Sequence, residues 1–470
     1  MEIPIFEGLK KYIEEKNISF HTPGHKGKNI LVDWGKYIPN IDLTEVEGLD
    51  NLHDPKGIIL ESEKLAAKTF KSKKTLYSVN GTTGGIHIAL ATATNPREKI
   101  LIQRNSHSSV YKGAILNRLG VEYIYPNYNK KYNLLTGIKA QDVESILMKD
   151  SEISAVVITY PSYYGICSDL EKIAEIVHKY DKILIVDEAH GSHFIFSHSL
   201  PKSSLELGAD LVVQSTHKTL PSFTQTSMIH CGSNRIDIEK LNEMSNLYQT
   251  TSPSYLFMAS LDIARAYMDG EGIERLNEHL RNIEEMVKNL NAINGVFVFT
   301  GDDEDETIND FDKTKIPIRL KNMSGTTLES LLRKKYNIQL EMSDYYYGLL
   351  LTTLMNNYDE LKLFEEAIQK LAIVEPWEEM VNFDFQMNSP KIEIPLDEAF
   401  YRKKEVLGLG ESVGRICGSY IIPYPPGIPL IVPGELITSD ICEKIEFLRK
   451  NNVEIVGLLD YNKEKIVVVK

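Results

Sequence analysis

The sequence predicts an α/β protein with a largely parallel sheet covered on both faces, followed by smaller α+β units. Short β-branched runs alternate with helical patterns from about Lys74 onward, and beyond an acidic stretch near residue 300 the pattern becomes mixed. Regular alternation of strand and helix signals means βαβ units, whose crossovers cover both faces of the sheet.

The strand candidates run in order through Thr75 to Val79, Ile100 to Gln103, Glu122 to Tyr125, Ala155 to Thr159, Ile183 to Val186 and Leu211 to Gln214. A helix is expected after Ser168, with Ser168 as N-cap, Glu171 completing a capping box and Leu170, Ile173 and Val177 on one face. A second amphipathic helix places Ile283, Met286, Val287 and Leu290 on its apolar stripe and stops at Asn294-Gly295. From Gly301 to Asp312 the chain holds seven acidic residues and no base, which predicts a self-repelling surface loop. Beyond it lie strand Lys315 to Leu320, helix Thr326 to Tyr336, strands Ile338 to Met342 and Gly348 to Leu354, and helix Tyr358 to Ala372. After Pro376 an irregular stretch leads to a helix near Leu396 to Val406, a proline-rich segment and a last helix, Thr438 to Lys450. The expected division is an N-terminal arm over residues 1–60, a large α/β domain over 61–295, a small α+β domain over 296–375 and a C-terminal domain over 376–470.

Composition narrows the function. The 470 residues are 42% hydrophobic and 25% charged, enough for large cores, and 52 basic against 66 acidic residues leave a net charge of −14. That field opposes nucleic acid and anionic lipid, and a small cation is tolerated. No apolar run reaches the roughly 18 residues needed to span a membrane, and Met1-Glu2-Ile3-Pro4 lacks a secretory pattern, so a cytoplasmic protein is expected. Cys167, Cys231, Cys417 and Cys442 form no CxxC pair, and the reading is of reduced thiols with no metal site.

Three segments could carry chemistry. Ser78-Val79-Asn80-Gly81-Thr82-Thr83-Gly84-Gly85 runs from a strand into a helix, an anion cradle of helix-start amides, glycines and hydroxyls, although a simple turn with a Thr cap fits it equally. It lacks the lysine of a nucleotide P-loop. Asp187 ends a buried strand, where open α/β sheets bind ligands, and Ser215-Thr216-His217-Lys218 follows another. An anion site, a carboxylate and an amine are what pyridoxal 5'-phosphate requires, and His107 offers an imidazole to stack on its ring.

The text resembles the basic amino-acid decarboxylases acting on ornithine, lysine or arginine, in their compact form without an N-terminal receiver-like domain. The resemblance rests on HTPGHKG (21–27), LTEVEGLDNLHDP (43–55), VNGTTGG (79–85), RNSHSSV (104–110), YPSYYG (160–165), VDEAHGSH (186–193), QSTHKTL (214–220), SPSYLFMASLD (252–262) and PYPPGIPLIVPGE (423–435). It implies the aminotransferase-like fold (fold type I), with the large domain holding the cofactor and a C-terminal decarboxylase domain. It also implies PLP bound through Lys218, Asp187 on the pyridine nitrogen, His107 and Ala189 either side of the ring, and Thr83, Gly84, Ser215 and His217 at the phosphate. Catalytic roles fall to Lys218, His217 and Asp187. The implied reaction is decarboxylation of arginine to agmatine, or of lysine to cadaverine, feeding polyamine synthesis, in a homodimer or higher homo-oligomer. The substrate's far cation would meet a carboxylate among Glu341, Asp344 and Glu435. Ser108 stands where the family commonly has Lys, Gly84 where many relatives have a hydroxyl, and Gly418-Ser419 where an Ala-acidic pair is commoner.

Other readings share these residues. An aminotransferase or aldolase-type lyase would use Asp187 and Lys218 as well. A metal-dependent hydrolase would use Asp187, Glu188, His190, His193 and His198 but leaves Lys218 without a role. A regulator that binds the cofactor without turnover lacks a basic helix-turn-helix. Gly408-x-Gly410-x-x-x-Gly414 follows a helical pattern rather than a strand, which disfavours dinucleotide binding.

Overall fold

The computed structural model describes residues 12–28, 30, 34–302, 304–321, 323–373, 381, 383–386, 390–423, 427–460, 462 and 464–470. Its centre is a seven-stranded sheet of β1 (Lys74–Ser78), β2 (Lys99–Gln103), β3 (Gly120–Ile124), β4 (Ile153–Thr159), β5 (Ile183–Asp187), β6 (Leu211–Gln214) and β7 (Ser227–Cys231). The order is β3-β2-β4-β5-β6-β7-β1, with β7 antiparallel to both neighbours and the other pairings parallel.

Side chains on a strand alternate between faces. Leu101, Val156, Leu184 and Val212 enter one core, while Ile100, Val157, Ile185 and Val213 enter a second on the opposite face. Near-continuous apolar runs follow from this double burial, and polar side chains are displaced to the strands' carboxyl ends. Those ends carry Gln103, Asp187 and Gln214. The sites of chemistry therefore lie on one rim of the sheet.

A smaller antiparallel sheet joins β8 (Val296–Val298), β9 (Lys315–Leu320), β10 (Met342–Ser343) and β11 (Gly348–Leu351) in the order β8-β9-β11-β10. Helices Gly325–Tyr336 and Tyr358–Ala372 accompany it, and the long helix Ile273–Asn291 packs on the latter. Near the N-terminus, Ile18–Phe20 pairs in parallel with Ile338–Leu340 and so feeds residues 21–28 towards the sheet rim.

The C-terminal unit pairs Lys404–Gly408 with Lys465–Val469 and packs helix Ser439–Lys450 over Ile421, Ile431, Ile437 and Ile466. It is fastened to the large sheet by Arg104, just past β2. The Arg104 guanidinium donates to the carbonyls of Pro429 and Leu430 and to Glu435 Oε2 at 3.0 Å, and both charged side chains are 1% exposed. Cys167, Cys231, Cys417 and Cys442 are free and buried, as the sequence suggested. No helix among the described residues is long and apolar enough to cross a membrane.

Three local expectations are corrected. Asp169, not Ser168, caps helix Leu170–Lys179 by accepting from the Lys172 amide, while Ser168 Oγ accepts from the Ile138 amide. The helix expected near Leu396 to Val406 ends at Tyr401, because Lys404–Gly408 gains a ladder with the chain's last strand. The acidic stretch is not a loose surface loop: Asp310–Phe311 pairs with Ile166–Cys167, and Asp305, Thr307 and Asp312 are buried. Lys131, Lys139 and His193 from other segments pair with Asp302, Glu306 and Asp312, while hydroxyls and amides serve Asp305. Asp305 accepts from the Thr307 amide and hydroxyl at 3.0 and 2.6 Å, from Asn129 at 2.9 Å and from the Thr136 hydroxyl at 3.2 Å. The irregular stretch after Pro376 lies largely outside the described residues.

Asp305→Ala leaves these donors without an acceptor and is expected to destabilise the fold by about 1–3 kcal/mol. Urea unfolding of the two proteins checks it. An unchanged midpoint would mean that water replaces the carboxylate freely.

Candidate active site

Helix Gly81–Ala93 starts directly after β1, with Asn80 as an N-cap whose side chain makes no capping bond. Gly81 reverses the chain at φ +68°, in the left-handed region that favours glycine. The Gly84 amide already bonds to the Asn80 carbonyl, so the helix-start amides free of an intrahelical partner are those of Gly81, Thr82 and Thr83. The Thr82 hydroxyl hydrogen-bonds Ser215 Oγ, which draws the cradle towards the turn after β6. Gly84 does not line the cavity. A Cβ there would stand 2.7 Å from Asn80 Cβ, so the glycine serves close packing of the helix start.

A cavity of about 350 Å³ opens above this rim. Thr83, His107, Asp187, Ala189, Ser215, His217 and Lys218 all line it, seven of the eight residues expected from the sequence. A more open groove of about 610 Å³ between residues 326–343 and 452–454 has no lysine in its lining.

Asp187 ends β5 and is 3% exposed. It accepts from the Ala189 amide at 3.2 Å, and burial raises its carboxyl pKa while the nearby Lys218 opposes the rise. A cation at this carboxylate would relieve that cost. His107 caps helix Ser108–Leu116: its Nδ1 accepts from the Ser109 amide at 3.2 Å. Burial, reinforced by Lys218, lowers its pKa to about 3, leaving a neutral ring. His217 Nδ1 lies 2.9 Å from the Thr226 carbonyl and must donate to it, so Nε2 carries the lone pair. Its pKa, lowered by burial to about 4, keeps it neutral near pH 7.

Lys218 stands on the short helical turn Thr216–Thr219 and is buried enough to hold its amine below the usual lysine range, against the attraction of Asp187 and Glu341. Its Nζ lies 3.0 Å from His190 Nε2. On the far side of the same ring, Lys315 Nζ lies 2.9 Å from His190 Nδ1. Glu341 closes the cavity from the smaller sheet. It accepts from the Tyr163 hydroxyl at 2.5 Å and from the Thr22 amide at 2.7 Å. Burial would raise its pKa, but these two bonds with Lys315 and Lys26 outweigh burial and hold the carboxyl below its ordinary value.

The ligand types of the metal reading point apart. Glu188 is enclosed by Ser203, Ser204 and Gln214, His193 faces Asp312, and His198 is exposed. Among the described residues no group of three such side chains could hold a metal ion. The other two proposed acids also have local partners: Asp344 takes the Tyr164 hydroxyl and the Tyr346 and Tyr347 amides, and Glu435 takes Arg104. Glu341 alone of the three lines the cavity. Gly418 and Ser419 are not in its lining.

The family model for the major domain of the Orn/Lys/Arg decarboxylases matches residues 3–315, and that for the family's C-terminal domain matches residues 386–457. The chain belongs to the Orn/Lys/Arg decarboxylase family. It is a carboxy-lyase of that family. An arginine decarboxylase of Bacillus anthracis is 33% identical over 486 residues, covering 100% of this chain and 97% of its own. The crystal structure of the Francisella novicida lysine decarboxylase LdcF aligns with a TM-score of 0.81 at 23% identity, over 99% of this chain and 81% of that one. An alanine–glyoxylate aminotransferase from Nostoc sp. aligns with a TM-score of 0.58 at 16% identity over 75% of this chain, which shows the aminotransferase-like fold.

In this decarboxylase several lining residues had no role toward cofactor or substrate from the sequence: Thr22, Asn105, Ser109, Tyr163, Gln225 and His190, the last named only as a metal ligand. Thr22, Asn105, Ser109, Tyr163 and His190 sit inside the segments that carry the family resemblance, so a signal existed without a role. Lys315 gave none, as a lysine that merely opens a strand.

Tyr163→Phe removes a bond to a buried carboxylate and is expected to lose about 1.5–3 kcal/mol at neutral pH. Because the folded-state pKa of Glu341 is depressed, its contribution is present above the ordinary glutamate value of 4.5 and is lost as pH falls through the lower folded value. Urea unfolding of both proteins at neutral and acid pH checks this: the difference should shrink on acidification.

Proposed function

We propose that the chain decarboxylates a basic amino acid with pyridoxal 5'-phosphate held in this cavity, with arginine to agmatine first and lysine to cadaverine second. The observation that carries the reading is the convergence of a helix-start anion cradle, a buried carboxylate, a neutral stacking imidazole and a buried lysine on one cavity of about 350 Å³. The donor set fits the cofactor: free amides at Gly81 to Thr83 with the hydroxyls of Thr83 and Ser215 suit a phosphate, and Asp187 suits a protonated pyridine nitrogen. When bound, pyridoxal phosphate supplies a carbonyl carbon for the amine and a ring that accepts the electrons released as CO₂ leaves.

The chain's own residues do the rest. Lys218 would hold the cofactor through its amine and, once free, would carry a proton to the substrate Cα. His217 is less suited to that step, being neutral with its one N–H given to the Thr226 carbonyl, and the same bond leaves its Nε2 with no proton to give a phosphate. Asp187 would keep the ring nitrogen protonated, and His107 and Ala189 would hold the ring between them. Glu341 meets the substrate's distal cation, since of the three candidate acids it alone lines the cavity. The preference for arginine is supported by the Bacillus anthracis relative, and that for lysine by the lower-identity LdcF likeness. A homodimer or higher homo-oligomer belongs to the same proposal, supported by exposed Leu43 and Val46 in a segment that carries the family text. A cytoplasmic location and a role in polyamine supply complete it.

Lys218→Ala should abolish both cofactor absorbance and CO₂ release while circular dichroism stays unchanged; retained absorbance and rate would refute its assignment. Asp187→Asn should retain some cofactor and lose several orders of magnitude in kcat, at about 1.4 kcal/mol per tenfold.

Product analysis with arginine, lysine, ornithine, citrulline and norleucine tests the substrate class. The basic substrates should dominate, and Glu341→Gln should narrow the arginine-to-citrulline ratio of kcat/KM by roughly tenfold or more. Citrulline turned over as well as arginine by the unsubstituted chain would end the basic-amino-acid reading.

A further inference from the structure

His190 is held between two lysines, and its chemistry constrains them. Both ring nitrogens are engaged, Nε2 with Lys218 Nζ at 3.0 Å and Nδ1 with Lys315 Nζ at 2.9 Å. A neutral imidazole has one N–H and one lone pair, and a protonated lysine has no lone pair to accept with. The ring's N–H must therefore point at a neutral amine, and an imidazolium would need two of them. In every protonation state that keeps both contacts, at least one of these lysines is uncharged.

The surroundings favour sharing over the loss of both charges. Lys315 is 1% exposed, and burial lowers its pKa to about 8 against the pull of Asp312 and Glu341. Lys218 faces Asp187 and Glu341. His107, at the start of helix Ser108–Leu116, and His217, beside Lys218 on its helical turn, are neutral rings, and Lys26 adds a buried amine with a pKa of about 7, also lowered by burial. The Tyr163 ring packs edge-on against His190 at 4.6 Å between centroids and helps fix its plane. Lys26 gives its own protons to the carbonyls of His21 and Leu351, so it stands outside the array.

We propose that Lys315, acting through His190, stores the proton of Lys218 and leaves Lys218 as the neutral amine that pyridoxal phosphate requires. The transfer balances. A proton leaves the Lys218 ammonium for Nε2, the proton on Nδ1 passes to the Lys315 amine, and the imidazole ends neutral as its other tautomer. Reversal returns the proton to Lys218. Lys315 is thus a positioning residue for charge, and it lines the back of His190 rather than the cavity itself.

The inference rests on the cofactor reading, so its test is the rate at which cofactor-stripped full-length protein takes up pyridoxal 5'-phosphate across a pH series. Absorbance follows uptake, and borohydride fixation with mass spectrometry places the adduct on Lys218. Lys315→Gln should move the midpoint of that profile upward by about one pH unit, which is about a tenfold slower uptake at a fixed pH below it. His190→Phe breaks the link and should give the same upward shift. Lys315→Arg supplies a fixed cation that donates to Nδ1, and its midpoint should stay at or below that of the unsubstituted chain. A purely space-filling Lys315 would instead tolerate Gln better than Arg. Midpoints for Lys315→Gln or His190→Phe that coincide with the unsubstituted chain overturn the proposal, and either variant suffices should the other misfold. An unsubstituted chain that forms no adduct refutes the cofactor reading itself, and the relay falls with it.

Discussion

Burial of the central sheet on both faces is the constraint from which the site follows. With Val156, Leu184 and Val212 packed into one core and Val157, Ile185 and Val213 into the other, no strand interior has room for a polar group without a partner. Chemistry is displaced to the carboxyl rim, where the turns after β1, β2, β5 and β6 bring the anion cradle, His107, Asp187 and Lys218 around one opening. The smaller sheet then covers that opening from the side with Glu341, and the N-terminal segment seals the joint, the Gly24 amide bonding to the His217 carbonyl and the Thr353 hydroxyl to the Gly24 carbonyl.

Burial of the polar groups gathered at the rim sets their charge states. His107, His190, His217 and the lysines 26, 218 and 315 are all pushed towards their neutral forms by burial, while Glu341 keeps its charge through two short hydrogen bonds and two lysines. A pocket in which the imidazoles are neutral and Glu341 stays ionised suits a substrate that brings its own cation. Net acidity of the whole chain matters less than this local selection of which groups remain ionised.

Much of this was legible in the residues. Strand ends are short-range signals: Asp187 after Ile183-Leu184-Ile185-Val186 and Lys218 after Leu211-Val212-Val213-Gln214 can be read directly, and the structure brings both to the cavity. What escaped depends on contacts across long stretches of chain. Lys315 approaches His190 over 125 positions, and Glu341 meets Thr22 over 319. The acidic stretch misled for a related reason: composition registers charge, but the neutral hydroxyls of Thr136 and Thr307 that tame Asp305 lie in a different segment or look unremarkable beside it. Gly84 misled because proximity in sequence to Thr83 is not proximity to the cavity once a helix has turned.

The Arg104 and Glu435 pair has a consequence for how the molecule is made. A guanidinium with 1% exposure is bearable only while its carboxylate and the carbonyls of Pro429 and Leu430 are present, and stripping such a partner costs about 3–5 kcal/mol. During synthesis Arg104 leaves the ribosome some three hundred residues before Glu435. Until the last tenth of the chain emerges, the turn that carries His107 holds a cation with nothing to neutralise it. The catalytic rim is therefore finished late, when translation is nearly over.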